Sequence, residues 1–590
     1  MIIDESQSKP LLSLNRRWKR LPKFLQIYLT LIVVFFVLTF VYYFFMISAN
    51  KPIVFENVEN RNNEGFEADF LFPKGKSAKL AKQLERIHSA STDHQFSVDL
   101  DKSLGHDKFL ILNEFLNASR SQTIRQQAIQ DAILHSWRGY VKYAWGNDFL
   151  KPITKKSNNW FKIGLTILDS LDTLIIAGLV PGEDKIITKF NKALKWIEND
   201  LSFEVDRSVN CFETTIRAFA GLLSAYHLSK EKVLLEKAND LGNRLIHCFD
   251  SPSKIPYSDV NLKTSMATTP KWSTDSSLSE VSSMQLEFRD LSYEIHNQSF
   301  EVITFATSKH IHELVKARND FLLPMYISPI SGQITPSTIT LGARADSYYE
   351  YLYKQYAQTG IEFLLNDYIK SIEAIKSKLL GTTKGKLKLV YIGEILTNDP
   401  HNLNPKMDHL VCFLSGTLAL SYYHGFNLSR AENNRTYIEH LELAEDLART
   451  CYHMYNLTET GLAPEIGYFD QQDFEFFIKP RDTHNLLRPE FIESLFFLYH
   501  ITKKPQYREW GWQVFLAFEK YSRIETGGYT TIGDVRHPQS IKPRDFMESF
   551  WIAETLKYFY LLFMDNEIII KKVLNSYVFN TEGHLLPRRI

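Results

Sequence analysis

Residues 221–249 read GLLSAYHLSKEKVLLEKANDLGNRLIHCF, and this stretch contains the pattern that decides the fold. Its first part, 221–229, is apolar nearly all round, which is typical of a helix that is buried among other helices. Its second part, 233–249, has apolar residues at i, i+3, i+4 and i+7, the one-sided stripe of a surface helix. The stretch therefore predicts an inner helix followed by an outer helix.

The same succession of patterns recurs along the chain, in units that start about 60–80 residues apart. Each unit joins a nearly all-apolar segment to a segment with a one-sided apolar stripe. Repeated pairs of inner and outer helices build an α/α solenoid or, where the series closes on itself, a toroid. We therefore predict an all-α fold. The further units are 286–315, 349–375, 417–455 and 493–521.

The composition of the chain limits the classes of protein to which it can belong. Its 590 residues include 68 Lys and Arg and 68 Asp and Glu, so the formal net charge is zero. A general nucleic-acid binder needs a basic excess to displace counterions, and the zero balance argues against that class. Apolar residues make up 44% and charged residues 23%, which are the values of a folded globular protein.

An uncharged segment near the N-terminus predicts a membrane anchor. Residues 24–47 carry no charge, and as a helix they span about 36 Å, enough to cross a bilayer. Basic residues precede the segment and acidic residues dominate just after it, which places the N-terminus in the cytosol. A cleaved signal peptide is the alternative, but its apolar core has only about 7–15 residues. We predict a cytosolic tail (1–23), an anchor (24–47), a lumenal stem (48–120) and a folded region (121–590).

Lumenal placement has two consequences for the chemistry of the side chains. Four cysteines are too few for a scaffold built on disulfides, but the lumen permits one or two bridges. Asn-x-Ser/Thr triplets are possible glycan acceptors in that compartment. They begin at Asn117, Asn297, Asn427, Asn434 and Asn456.

Five segments of the folded region place carboxylates among aromatic or apolar neighbours. A carboxylate is costly to bury in such surroundings unless it is paired or functional. Arginines lie close by, since Arg217 follows Glu213 by four residues and Arg344 precedes Asp346 by two. Structural ion pairs between packed helices are the alternative explanation, and the residues alone leave it open. The acids are Glu213, Glu287, Asp346, Glu490, Glu493, Glu548 and Glu554.

Longer motifs resemble a known family. Together they are similar to class I α-1,2-mannosidases, glycoside hydrolase family 47, over about residues 120–590. The family fold is a barrel of paired helices, (αα)7, which agrees with the repeats. The motifs include HSWRGYVKYAWGNDFLKP (135–152), SVNCFETTIRAFAGLLSAYHLS (208–229), SMQLEFRDLS (283–292), GARADSYYEYL (342–352), MDHLVCF (407–413), LLRPEFIESLFFLYHIT (486–502), MESFWIAETLKYFYLLF (547–563) and YVFNTEGH (577–584).

The resemblance implies roles for three carboxylates. Glu213 matches the acid that protonates the leaving glycosidic oxygen, usually through a water molecule. Glu490 matches the general base that activates the attacking water, and Asp346 matches the third catalytic acid. Family members invert the anomeric configuration, which requires carboxylates about 6.5–9.5 Å apart.

The resemblance also implies a sugar site and a metal. Thr581 matches the threonine whose carbonyl and hydroxyl oxygens hold a calcium ion, and calcium accepts six to eight oxygens. The chain departs from the family after this residue, with Gly583 and Leu585 where alanine and proline are usual, which leaves the rigidity of the calcium loop open. The residues that match the lining of the mannose site are Arg217, Glu287, Arg344, His409, Glu493, Phe550 and Glu554.

The cysteines divide into two sets by the resemblance. Cys412 and Cys451 match a family disulfide. Cys211 and Cys248 do not, and Cys211 stands where the family often has leucine. We therefore expect Cys211 and Cys248 to be free, buried thiols.

Arg344 suggests a subgroup of the family. Members of the endoplasmic reticulum have arginine two residues before the catalytic aspartate, and this arginine is associated with conversion of Man9GlcNAc2 to the Man8 B-isomer. The resemblance therefore implies a single-pass type II protein of the endoplasmic reticulum membrane, monomeric, acting on high-mannose N-glycans of glycoproteins in processing and quality control. Two alternatives remain open: a degradation-enhancing relative of the same family, and a lectin that binds high-mannose glycans without cleaving them.

Overall fold

The computed structural model describes residues 53–54, 112–179, 188–271, 273–428, 434–469 and 475–590. The predicted tail, the predicted anchor (24–47) and most of the predicted stem lie outside these ranges. Among the described helices, none combines the length and the hydropathy that a membrane span requires. Contacts group the described residues from Val54 to Ile478 and from Asp482 to Ile590 into one compact unit, and Ile53 and Lys479–Arg481 into another.

Helices dominate the described part of the chain. Two of them, Ala220–Ser229 and Leu556–Leu562, directly follow π-helical turns at Thr215–Phe219 and Trp551–Thr555. The α-helices are α1 (Leu112–Ala118), α2 (Ile124–Tyr143), α3 (Leu165–Ile176), α4 (Thr188–Asn199), α5 (Cys211–Thr214), α6 (Ala220–Ser229), α7 (Lys232–Leu245), α8 (Leu278–Ser282), α9 (Gln285–Glu294), α10 (Ser299–Arg318), α11 (Asp346–Thr359), α12 (Glu362–Lys378), α13 (Phe413–Leu428), α14 (Asn434–Asn456), α15 (Glu490–Thr502), α16 (Gln506–Tyr521), α17 (Leu556–Leu562) and α18 (Glu567–Ser576).

The described strands are short, and their pairings are antiparallel. Apart from β1, they lie in the connections between helices or, for the last two, after α18. The strands are β1 (Ile53–Val54), β2 (Phe149–Lys151), β3 (Lys156–Asn158), β4 (Ser208–Asn210), β5 (Asp259–Asn261), β6 (Ala267–Thr268), β7 (Ser276–Ser277), β8 (Tyr326–Ile327), β9 (Ile334–Thr335), β10 (Leu380–Thr382), β11 (Val390–Ile392), β12 (Glu394–Leu396), β13 (Asp399–Asn404), β14 (Lys406–Asp408), β15 (Ile466–Tyr468), β16 (Phe477–Ile478), β17 (Tyr577–Phe579) and β18 (Leu585–Pro587).

The helices form a closed barrel. In the described ranges the inner helices are α3, α6, α9, α11, α13, α15 and α17, and each packs against the next. The π-turn before α17 packs against α3, which closes the ring. The outer helices are α2, α4, α7, α10, α12, α14 and α16. The predicted inner and outer pairs are therefore confirmed, and the series is a toroid rather than an open solenoid.

The alternation of helices gives the barrel two different ends. Since the chain runs from an outer to an inner helix seven times in the described ranges, all inner helices begin at the same end. We call this end the mouth; the loops that carry β2 to β16 arrive there. The hairpin β17–β18 packs against α6, α9 and α11 and, through Phe579, against rings of α15 and α17, so it fills the centre of the ring.

Two expectations need correction. The end of the predicted stem is folded, because α1 packs against α3 and buries Phe115. Cys211 and Cys248 are not free thiols but form a disulfide, alongside the expected Cys412–Cys451 bridge. The physical reason is local: the backbone N–H of Cys211 donates to Ser258, and the carbonyl of Cys248 accepts from Tyr257. One extended segment therefore holds both cysteines side by side.

Candidate active site

The three predicted catalytic acids lie at the mouth, in the first turns of inner helices or, for Glu213, in the short helix that leads into one. Asp346 and Glu490 are the first residues of α11 and α15. Glu213 lies in α5, whose N-cap Asn210 accepts a hydrogen bond from the Glu213 N–H at 2.9 Å. The partial positive charge at a helix N-terminus favours a carboxylate at each of these positions.

Arg217 joins the Glu213 carboxylate to the hairpin. Its Nε donates to Glu213 Oε2 at 2.8 Å, and its Nη1 donates to Glu582 in the β17–β18 turn. Burial alone would lower the pKa of Arg217, but the carboxylates of Glu582 and Glu213 raise it well above the usual range. The guanidinium lies 5.4 Å from the centroid of the Phe550 ring, so two predicted sugar-site residues are in contact.

A second set of side chains surrounds Glu490. Its Oε2 is hydrogen-bonded to Nδ1 of His409 at 2.9 Å, and Nε2 of His409 is bonded to the Tyr455 hydroxyl at 2.8 Å. Arg488 donates to Glu465 and lies 3.8 Å from Glu490. His409, which the sequence placed in the sugar site, is thus a direct partner of the predicted base.

Asp346 carries a perturbed pKa. Burial raises the pKa to about 8, and the nearby Glu350 and Glu490 raise it too, while the backbone N–H of Ser347 donates to the carboxylate and opposes the shift. Burial therefore favours the protonated form of the Asp346 carboxyl.

Glu548 connects the two sets of charges. Burial raises its pKa to about 7, Arg217 and Arg488 lower it, and Glu213 and Glu465 raise it again. These influences come from both sides of the mouth, from the Glu213 set and from the Glu490 set. The structure therefore brings Glu213, Asp346 and Glu490 to one site.

Thr581 lies in the turn of the central hairpin, among buried charges. Its Oγ1 donates to Glu350 Oε2 at 2.8 Å. The Nζ of Lys354 is fully buried and contacts Glu350, Glu493 at 3.3 Å and the carbonyl of Asn580 at 3.3 Å. Burial raises the pKa of Glu493 to about 7, although Lys354 opposes the shift.

Glu287 does not line open surface. It is fully buried and accepts hydrogen bonds from the Tyr351 hydroxyl at 2.7 Å and the Asn580 amide at 2.9 Å. Burial raises its pKa to about 7. The position predicted to contact the sugar therefore also holds the hairpin that carries Thr581.

The surroundings of Thr581 suit a hard divalent cation. Glu350 accepts from its hydroxyl, Glu582 is its neighbour in the chain, and Glu554 lies close to the same turn. After burial, the carboxylate of Glu582 is the largest cause that raises the pKa of Glu554 well above its usual range. Clustered carboxylate, hydroxyl and carbonyl oxygens are the donor set that calcium prefers, so these residues fit the expected ion.

The sequence prediction missed a buried charged set behind the hairpin. Nε2 and Nδ1 of His584 each lie 3.0 Å from an aspartate oxygen, of Asp169 and Asp172 respectively, on α3. Lys557 donates to Asp172 at 2.9 Å and to the Gly583 carbonyl at 2.6 Å. The signal in the sequence was TILDSLDTLII (166–176), in which two acids three residues apart interrupt an apolar helix.

Arg344 is exposed, unlike the buried acids. Its Nη1 donates to the hydroxyl of Tyr326, and its guanidinium lies 5.5 Å from the centroid of that ring. Its backbone φ of +81° is left-handed, which is uncommon for a residue with a side chain. Arg344 therefore lies at the rim of the mouth, two residues before Asp346.

Comparison with known proteins adds an independent observation. Residues 132–588 match the model of glycosyl hydrolase family 47. The chain is 48% identical over 472 residues to the endoplasmic reticulum mannosyl-oligosaccharide 1,2-alpha-mannosidase of Rattus norvegicus, covering 78% of this chain and 68% of the relative. The Homo sapiens protein of the same name is 47% identical over 472 residues, covering 78% of this chain and 64% of the relative. The matched part thus spans about two thirds of these relatives.

A solved structure has the same fold. The alpha-1,2-mannosidase from Trichoderma reesei superposes with a TM-score of 0.69 at 23% identity, over 79% of this chain and 99% of that protein. At this identity the likeness bears on the fold alone. It agrees with the closed ring of paired helices.

Proposed function

The chain belongs to glycosyl hydrolase family 47, and from this premise we propose that it hydrolyses terminal α-1,2-linked mannose from high-mannose N-glycans. The observation that carries the proposal is the convergence of Glu213, Asp346 and Glu490 at one mouth, around the hairpin that carries Thr581. The names of the rat and human relatives agree with this activity and with the endoplasmic reticulum.

In the proposed reaction Glu213 and Glu490 divide the proton transfers. Glu213 protonates the leaving oxygen, and Arg217, bonded to it at 2.8 Å, fixes the orientation of its carboxylate. Glu490 takes a proton from the attacking water, and His409 holds the other side of that carboxylate. Attack by water on the face opposite the leaving group inverts the anomeric carbon.

Asp346 and the hairpin complete the proposed site. Burial favours the protonated form of the Asp346 carboxyl, which in that form is a hydrogen-bond donor. Thr581 is the residue that would hold a calcium ion, with the carboxylates of Glu350, Glu554 and Glu582 close to it. When bound there, such an ion would offer its remaining coordination positions to sugar hydroxyls. Phe550 offers an aromatic surface beside Arg217.

The finer proposal concerns the product. Arg344 lies exposed at the rim, where a guanidinium fork can bind several hydroxyls of one glycan branch. We propose that the enzyme removes one mannose from Man9GlcNAc2 and gives chiefly the Man8 B-isomer, as a monomer anchored in the endoplasmic reticulum membrane by residues 24–47. Its place would be glycoprotein processing and quality control.

One digestion series tests the proposal. Purified full chain is incubated with Man9GlcNAc2, with and without a calcium chelator, and the released mannose is measured. Calcium-dependent release with an inverted anomer supports the hydrolase; binding of Man9GlcNAc2 without release would establish the lectin alternative instead.

Arg344→Leu tests the product assignment. The variant should cleave beyond the first mannose, because the branch is no longer held by the guanidinium. Isomer analysis of the Man8 and smaller products measures this. A single Man8 product from the variant would contradict the role given to Arg344.

A further inference from the structure

The connection from α2 to α3 carries an indole that the proposed chemistry does not use. Trp160 follows the hairpin β2–β3 at the mouth, and its side chain is 39% exposed. A single exposed aromatic ring is ordinary on a protein surface. What distinguishes this ring is that the backbone beneath it is held by an unusual number of hydrogen bonds.

The anchor of this segment is the carboxylate of Asp148, which is fully buried. Both of its oxygens accept backbone N–H groups, so one side chain fixes a run of six residues in a single conformation. The donors to Oδ2 are Trp160 at 2.8 Å, Phe161 at 2.6 Å and Lys162 at 2.6 Å, and the donors to Oδ1 are Ile163 and Leu165, both at 3.0 Å.

The indole ring is itself supported from below. Its centroid lies 4.0 Å from that of Phe161, with 23° between the planes, and 6.2 Å from that of Phe149, at 25°. Phe161 is buried and Phe149 packs on Phe546 at 4.9 Å. Trp160 is therefore a rigid platform: rings of the protein stack on it, and 39% of its side chain remains exposed to solvent.

The platform is continuous with the site. Leu150 of β2 forms a bridge with Met547, whose N–H donates to the Leu150 carbonyl at 3.0 Å. Met547 directly precedes Glu548, which connects the two sets of charges around Glu213 and Glu490. The residues that support the indole are thus joined through the backbone to the wall of the site.

The neighbours of Trp160 select the kind of ligand. The side chains of β3 (Lys156, Ser157 and Asn158) are exposed and offer hydrogen-bond donors and acceptors. A pyranose presents an apolar face of C–H groups and an edge of hydroxyls, which matches an aromatic ring bordered by polar side chains. A lipid surface would require a contiguous apolar patch, and here Ile153 is the exposed aliphatic side chain on the same hairpin.

We propose that Trp160 is the base of a second sugar subsite at the mouth, which stacks against a mannose of the same high-mannose oligosaccharide outside the cleavage position. The inference rests on the proposed function. It predicts that Trp160 contributes to binding of a large glycan and not to cleavage of a disaccharide, which is too short to reach the platform.

The test compares two substrates in the full chain. For Trp160→Ala, KM for Man9GlcNAc2 should rise roughly threefold to tenfold, the range that loss of one aromatic contact produces, while kcat/KM for α-1,2-mannobiose stays unchanged. Trp160→Phe, which keeps an aromatic ring, should raise the KM for Man9GlcNAc2 less than Trp160→Ala does. In a Glu213→Gln background, titration calorimetry with Man9GlcNAc2 should show the same loss of affinity. The control Tyr293→Ala removes a ring that is 58% exposed at the end of α9 away from the mouth. It should alter the kinetics toward neither substrate.

Three results would overturn the inference. Unchanged Man9GlcNAc2 affinity in Trp160→Ala is the first. An equal loss for mannobiose is the second, because it would mean that the hairpin only positions Glu548. The third is loss of binding to anionic phospholipid vesicles with no change toward Man9GlcNAc2. Failure of the wild-type chain to cleave either sugar would instead refute the proposed function, and melting temperatures identify any variant that does not fold.

Discussion

At the scale of single residues, the site consists of carboxylates whose environments differ. Glu213 and Glu490 each have a cationic or imidazole partner, at 2.8 Å and 2.9 Å. Asp346 is instead surrounded by protein that desolvates it, and its pKa is raised to about 8 although Arg488 opposes the shift. The three carboxylates are therefore held in different ways: Glu213 by an arginine, Glu490 by a histidine, and Asp346 by burial at the start of its helix.

Glu213→Gln tests the role of the proposed acid. The amide keeps the shape and the contact with Arg217 but cannot give up a proton, so kcat should fall by about 10²- to 10⁴-fold while Man9GlcNAc2 still binds. Turnover and titration calorimetry measure the two effects. Glu204→Gln, an exposed neighbour, is the matched control. Weak binding combined with normal kcat would refute the assignment.

Asp346→Asn tests the raised pKa through stability. The native carboxyl, with a pKa of about 8, keeps a proton that the unfolded chain loses near 3.8. Its contribution to the free energy of unfolding is therefore fully present below pH 4 and is lost as the pH rises through 8. In calcium-free buffer, wild-type melting temperature should fall between pH 5 and 8, and the variant should fall less. Because the pKa of Glu548 is raised to about 7, part of the pH dependence of the melting temperature should remain in both proteins. Parallel curves for the two proteins would show that Asp346 titrates normally.

At the scale of elements, the hairpin β17–β18 lies at the centre of the ring and places the turn with Thr581 in the site. Gly583 in its turn has a φ of +72°, and an added Cβ would lie 3.3 Å from Tyr558. Glycine at position 583, where the family usually has alanine, therefore suits the left-handed backbone of this turn. Hydrogen bonds close the turn between Asn580 and His584, with the Asn580 N–H donating to the His584 carbonyl at 2.9 Å.

Thr581→Ala tests whether the turn holds calcium. Loss of the hydroxyl removes one of the proposed oxygen ligands, so calcium affinity should fall at least roughly tenfold, and the rise in melting temperature on adding calcium should shrink. Thr581→Ser should restore both, because it keeps the oxygen. Thr264→Ala, at an exposed position, is the control. An undiminished calcium response in Thr581→Ala would place the metal elsewhere.

Local sequence patterns predicted the helices well, but they did not predict which side chains of distant helices are in contact. Five inner and outer pairs followed from apolar periodicity, because that periodicity reflects which face is buried. Local patterns did not predict the Cys211–Cys248 disulfide. Its cysteines lie 37 residues apart in sequence, close to the 39 residues between Cys412 and Cys451. His584 meets Asp169 across 415 residues, and no local pattern encodes such a pairing.

At the scale of the whole molecule, stability depends on closure of the ring. The first outer helix, α2, packs against the last inner helix, α17, so the two ends of the barrel sequence meet. At this junction Gly139 lies against the backbone of Gly527 and Gly528. A Cβ on Gly139 would approach the Gly527 carbonyl carbon to 2.6 Å.

Gly139→Ala should weaken the closure. The clash is with backbone, which cannot rotate away, so we expect a loss of about 1–3 kcal/mol in the free energy of unfolding. Differential scanning calorimetry measures the fall in melting temperature. Arg138→Ala changes the exposed neighbouring position and should have little effect. An unaltered melting temperature for Gly139→Ala would mean that the loop can move aside.

The position of the hairpin in the chain has a consequence for biosynthesis. Strands β17 and β18 come after every helix of the ring, so the ribosome makes them only after the ring. Until they emerge, the buried amine of Lys354 and the acid Glu287 lack their hairpin partner Asn580. A nascent barrel therefore has an open, charged centre, and we expect chaperones to bind it until translation of this segment is finished.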